Sequence, residues 1–93
     1  MRFESKKIEN CFTDAENHEY RIEVTGEEFL LLLKEKTASV KVNRQLRRPA
    51  FMAELKDGTR LKGILEKPVI KVGYPQDSAA EQKALFESWL SSL

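Results

Sequence analysis

The 93-residue chain predicts an α+β fold, a mostly antiparallel sheet in the order β-β-α-β-β-β-α with the helices packed on one face. Three observations predict it. Short stretches alternate apolar and polar residues with period two, the mark of half-buried strands. Two Ser/Thr-x-x-Glu boxes precede apolar runs and mark helix starts. An Asp-Gly pair between alternating stretches marks a tight hairpin.

The N-terminal residues 1–12 read as a strand in which Ile8, Asn10 and Phe12 share one parity and Phe3 the other, so that a bulge or a shorter ordered half is expected. Residues 14–18 (Asp-Ala-Glu-Asn-His) read as a polar turn, and Tyr20, Ile22 and Val24 alternate with Arg21, Glu23 and Thr25 as a second strand. Thr25-Gly26-Glu27-Glu28 then forms a capping box, in which the Thr25 hydroxyl accepts from the Glu28 amide and the Glu28 side chain reaches back. Phe29 to Leu33 are all apolar, which predicts a short helix buried on two sides.

Ala38, Val40 and Val42 mark a third strand, Phe51, Ala53 and Leu55 a fourth, and Leu61 with Gly63 or Leu65 a fifth. Asp57-Gly58 between the last two predicts a type I′ turn, which needs positive φ at both central residues. Pro68 sets off residues 69–74 as a separate short strand or a sheet edge. Ser78-Ala79-Ala80-Glu81 opens a second helix whose stripe is Leu85, Phe86, Trp89, Leu90 and Leu93. That stripe covers the sheet, or else serves as a homo-oligomer surface centred on Trp89. No repeat, low-complexity tract or Gly/Ser/Pro linker divides the chain, so residues 1–93 are read as a single domain.

Composition narrows the functional classes. The apolar and charged fractions, 41% and 33%, are those of a folded protein. The longest apolar run is five residues, far short of the roughly 20 a membrane span needs. One cysteine, Cys11, permits no internal disulfide and points to a reducing, cytoplasmic setting. A structural zinc site takes four Cys or His ligands, whereas the chain has one of each, and its four glycines form no phosphate-cradling cluster. No cofactor or metal is expected. Cys11, Asp14 and His18 are the only nominees for nucleophilic chemistry, and their spacing does not supply the required geometry of about 3 Å between thiol and imidazole. The expectation is a non-enzymatic protein.

The net charge of +1 conceals a segregation. Residues 34–71 carry eleven basic and four acidic side chains, while the flanking segments are acidic. Lys41, Arg44, Arg47, Arg48, Lys56, Arg60 and Lys62 are therefore the candidate binding residues. Strand parity puts Lys41, Lys56, Arg60 and Lys62 opposite Val40, Val42, Leu55 and Leu61. This layout suits a small accessory, regulatory or inhibitor protein that binds an acidic protein partner. The alternative is RNA or DNA binding through residues 41–62, against which stands the lack of an aromatic interleaved with these cations. Residues 55–63 resemble the strand–turn–strand of Sm-like RNA-binding barrels, a likeness any Asp-Gly hairpin shows and one read here as a common turn.

Overall fold

Alternation becomes a six-stranded antiparallel sheet in the computed structural model, which describes residues 1–45 and 47–93. The strands are β1 (Glu4–Ile8), β2 (Ala15–Arg21), β3 (Thr37–Asn43), β4 (Ala50–Leu55), β5 (Arg60–Ile64) and β6 (Val69–Pro75). The helices are α1 (Gly26–Leu33), between β2 and β3, and α2 (Ala79–Ser92), after β6. Across the sheet the order is β1-β2-β6-β5-β4-β3. The chain thus builds the hairpin β1–β2 and the meander β3–β6, and joins them by pairing β6 with β2.

Residues 69–74 consequently occupy a central strand and not an edge. Pro68 lies one residue before β6, so its missing N–H removes nothing from the ladder, and its carbonyl accepts from Ile22 N at 2.9 Å. The first hairpin is also shifted relative to the sequence reading. β1 ends at Ile8, the turn is residues 9–14, and β2 begins at Ala15, so that Asn17 and His18 are buried strand residues. Asn10 and Asp14, with φ of 61° and 55°, make the turn, and both residue types tolerate left-handed backbone through local side-chain hydrogen bonding.

One hydrophobic cluster occupies the face of the sheet that bears Tyr20, Ile70, Val72, Tyr74, Leu61 and Phe51. Phe86 of α2 packs edge-on against Tyr20 and Tyr74, with centroids 5.5 and 6.2 Å away. Trp89 meets Phe29 of α1 at 5.9 Å and Phe86 at 5.7 Å, so it joins the two helices within the core. Leu85 and Leu93, expected on the same stripe, are exposed. The inward face of α2 instead runs through Ala79, Phe86 and Leu90 and admits Glu87, which accepts from the Tyr20 hydroxyl at 2.7 Å.

Helix α1 starts as its capping box predicts, with Glu28 N donating to Thr25 Oγ1 at 3.3 Å and Thr25 N to Glu28 Oε1 at 3.2 Å. Only Phe29 and Leu33 of its apolar run are fully buried, while Leu31 and Leu32 are exposed, so the helix is covered on one side. At α2 the second capping box does not form. A 3-10 turn, Gln76–Ser78, leads into the helix, and Ser78 makes no side-chain cap. The Asp57-Gly58 hairpin is present with a different turn. Only Gly58 has positive φ, 91°, and Gly58 N donates to Leu55 O while Leu55 N donates to Thr59 O. This is a three-residue loop in which one left-handed glycine follows a type I turn.

Candidate functional site: the basic outer face of the sheet

The face opposite the core is built by strand register. Lys41, Met52, Lys62, Lys71, Glu19 and Lys6 are successive cross-strand partners and form one row spanning all six strands. The next row is Ser39, Glu54, Arg60, Gly73, Asn17 and Ile8. Side chains directly opposite on neighbouring strands lie about 5 Å apart at Cβ, so each row is a continuous surface.

Lys62 and Lys71 therefore oppose one another on the two central strands, a like-charge arrangement that is destabilising by itself. Lys6 is paired with Glu19 at 3.4 Å, whereas among the described residues Lys41, Lys62 and Lys71 form no ion pair. Met52, in the row between Lys41 and Lys62, is 53% exposed. Beside it a shallow depression of about 220 Å³ is lined by Phe12, Ser39, Lys41, Met52, Glu54 and Arg60.

Phe12 is the aromatic residue that a linear reading did not place among the cations. The β1–β2 turn folds onto the outer face and sets the Phe12 ring on Gly73, where an added Cβ would come within 2.6 Å of the ring. Asn17 anchors the turn from below, accepting from Phe12 N at 3.0 Å and donating to Phe12 O at 3.2 Å. Arg60 donates to Thr13 O at 2.5 Å, Lys62 to Cys11 O at 3.5 Å, and both cations lie 5.2 Å from the Phe12 centroid. Attraction of a cation to a ring face contributes about 0.5–1 kcal/mol at exposed sites.

The seven sequence candidates thus divide. Lys41, Arg60 and Lys62 share the outer face, with Arg60 and Lys62 also holding the turn. Arg44 is beyond the end of β3 and pairs with Glu27 at 2.7 Å. Arg47 and Arg48 are exposed on the β3–β4 connection. Lys56 is at the β4–β5 turn, where it lines a small depression with Glu35, Lys36 and Asp57 and stands apart from the row. Lys71 and Met52 belong to the site and were not singled out from the sequence. The alternation Val69–Tyr74 would have placed Lys71 on this face had the strand been recognised as central.

The residues nominated for nucleophilic chemistry are not brought together. Cys11 is on the turn that covers the outer face, whereas His18 points into the opposite, core-bearing face, edge-on to Tyr74 at 5.6 Å. Burial pushes the His18 imidazole below its usual value, and its Nε2 has no hydrogen-bond partner, with Glu16 Oε1 3.8 Å away. Burial likewise raises the Tyr20 and Tyr74 phenols, whose hydroxyls are 2.6 Å apart in the core. Among the described residues no group of three or more His, Cys, Asp or Glu side chains is arranged to hold a metal ion. Among the described residues no helix is long and apolar enough to cross a membrane.

No family model, curated protein or solved structure matches this chain.

Proposed function

We propose that this chain is a non-enzymatic interaction domain that binds an acidic segment of a protein partner across the outer face of its sheet. The observation that carries the reading is the row Lys41–Met52–Lys62–Lys71, three cations that form no ion pair among the described residues, with Lys41 and Lys62 flanking an exposed methionine. A carboxylate set between Lys62 and Lys71 would relieve their mutual repulsion. Met52 offers the adaptable apolar contact that protein-binding surfaces favour. The role that fits such a surface is accessory, regulatory or inhibitory, and the lone Cys11 suits the cytoplasm.

Single-stranded nucleic acid is the second reading, and Phe12 among cations is the observation in its favour. It ranks below the first because the ring is already engaged, lying on Gly73 with Arg60 and Lys62 over it, and base stacking needs an open face.

Titration of the isotopically labelled protein with an Asp/Glu-rich peptide containing leucines, and separately with oligouridylate, tests both readings at low and physiological salt. The peptide is expected to shift amides of β3 to β6 around Met52, and Lys41→Glu with Lys71→Glu to abolish the shifts without altering the fold. Response to the oligonucleotide alone would transfer the site to nucleic acid. Undiminished peptide binding by the double variant would remove the row from the interface.

A further inference from the structure

Two strands end the sheet, and they differ in chemistry. β1 is Glu4-Ser5-Lys6-Lys7-Ile8, with both lysines in ion pairs to β2, so this edge is charged and engaged. β3 is Thr37-Ala38-Ser39-Val40-Lys41-Val42-Asn43, seven residues with one charge, and that charge lies on the outer face. Val40 and Val42 lie on the core-bearing side, opposite Ala53 and Phe51, yet remain 44% and 42% exposed. Leu31, one helical turn beyond the Glu27 that pairs with Arg44 at the end of β3, is 74% exposed. The edge therefore presents unpaired backbone together with an apolar margin, the combination that templates strand addition.

We propose that β3 pairs antiparallel with β3 of a second copy about a two-fold axis at Val40. The strand is self-complementary in that register. Val40 meets Val40 of its partner, Val42 meets Ala38, Lys41 meets Ser39, and Asn43 meets Thr37. No like charges are directly opposed. Centring the axis on Lys41 would instead oppose lysine to lysine, which is destabilising. The Val40-centred register gathers apolar side chains on one side and polar ones on the other, and it sets the same patch of each copy against the other, as the isologous interface of a symmetric dimer requires. The irregularity between Thr37 and Ser39 lies at the strand end and leaves the residues around the axis in regular alternation. Pairing joins the two sheets edge to edge and makes their Lys41–Lys71 rows parts of one extended face. The inference stands independently of what that face binds.

Sedimentation equilibrium over a range of protein concentrations reads the association, and cysteine cross-linking reads its register. Directly opposed residues have Cα atoms about 4.5–5.5 Å apart, within the range a disulfide spans. In a Cys11→Ser background, Val40→Cys is expected to form an intermolecular disulfide under mild oxidation and Lys41→Cys to form little. Val40→Lys, at a solvent-accessible position, is expected to weaken association by on the order of tenfold or more while retaining the unfolding midpoint measured at concentrations low enough that both proteins are monomeric. A monomer at every concentration overturns the proposal. So does a dimer that Val40→Lys leaves intact, or one in which Lys41→Cys or Leu85→Cys cross-links in preference to Val40→Cys.

Discussion

Replacing Tyr20 by Phe removes one oxygen atom from the core and is expected to cost far more than the same change at Tyr74. Both rings are fully buried, and their hydroxyls are 2.6 Å apart. Tyr20 is the central member, because its hydroxyl also donates to Glu87 Oε2 at 2.7 Å, and Glu87 is tied to Lys83 at 3.1 Å. With Tyr20 donating to the carboxylate, the Tyr74 hydroxyl donates to Tyr20. Tyr74→Phe deletes one neutral bond and leaves Tyr20 still bonded to Glu87, a loss of about 0.5–1.5 kcal/mol. Tyr20→Phe deletes that bond and the bond to the carboxylate, the latter contributing about 1.5–3 kcal/mol, and leaves a buried Tyr74 hydroxyl without its acceptor. The sum is about 2–4.5 kcal/mol, a large share of the stability of so small a chain. Urea unfolding followed by the fluorescence of Trp89, which packs against Phe29 and Phe86, measures each change. In the Tyr20→Phe background the further change Tyr74→Phe is expected to cost little or to restore stability, since it removes the orphaned hydroxyl. Equal losses from the two single variants, or strict additivity in the double, would refute the donor chain Tyr74–Tyr20–Glu87.

Two further perturbations act on the backbone and on pH. Gly26→Ala places a Cβ 2.5 Å from Ile64 O, where α1 meets the sheet, and backbone cannot yield as a side chain would. A loss of about 1–3 kcal/mol is expected despite the better helix propensity of alanine, and an unchanged urea midpoint would show that α1 does not sit so close to β5. His18 faces Glu16 on its own strand, Lys7 on β1, Tyr74 on β6, and Lys83 and Glu87 on α2, with burial the largest influence and one that lowers its pKa. The unfolded chain therefore binds the proton more readily. The contribution of His18 is fully present above its unfolded value of about 6.5 and is lost as pH falls through the lower folded value. His18→Phe should flatten the decline in urea midpoint across that window, and an identical decline in both proteins would assign it to other groups.

The sheet was legible in the sequence wherever side-chain alternation and burial coincide, as in Phe51-Met52-Ala53-Glu54-Leu55, whose exposure alternates residue by residue. It was less legible where a polar residue is buried for a tertiary reason. Asn17 and His18 resemble turn residues by composition, and they are strand residues because Asn17 holds the β1–β2 turn and His18 packs against Tyr74. The α2 stripe misled for the same reason. Glu87 lies inward because Tyr20 and Lys83 satisfy it, while Leu85 faces solvent. The outer-face cations Lys41 and Lys62 followed from parity alone. Phe12 did not, because its place depends on the smallness of Gly73, 61 residues away in the sequence, and no local pattern carries that information.

The charges of the outer face argue that its composition answers to something besides folding. A sheet face needs polar side chains to stay solvated, and alternating signs across strands would serve that need while adding cross-strand attraction. On the β1 side the chain does this, with Lys6 against Glu19. From β6 to β3 the same row holds Lys71, Lys62, Met52 and Lys41 without an intervening carboxylate. The β1–β2 turn uses part of this excess, since its carbonyls at Cys11 and Thr13 draw in Lys62 and Arg60 and the Phe12 ring lies between them. It leaves Lys41 with no carboxylate beside it in the row, whereas Lys71 has Glu19 as its cross-strand partner on β2. For the acidic segment proposed as the partner, the spacing of the row sets what that segment must look like. Carboxylates carried on an extended segment laid across the strands would meet successive lysines at intervals of about 5 Å, or about 10 Å where Met52 intervenes. An apolar side chain between two acidic ones would then fall on Met52.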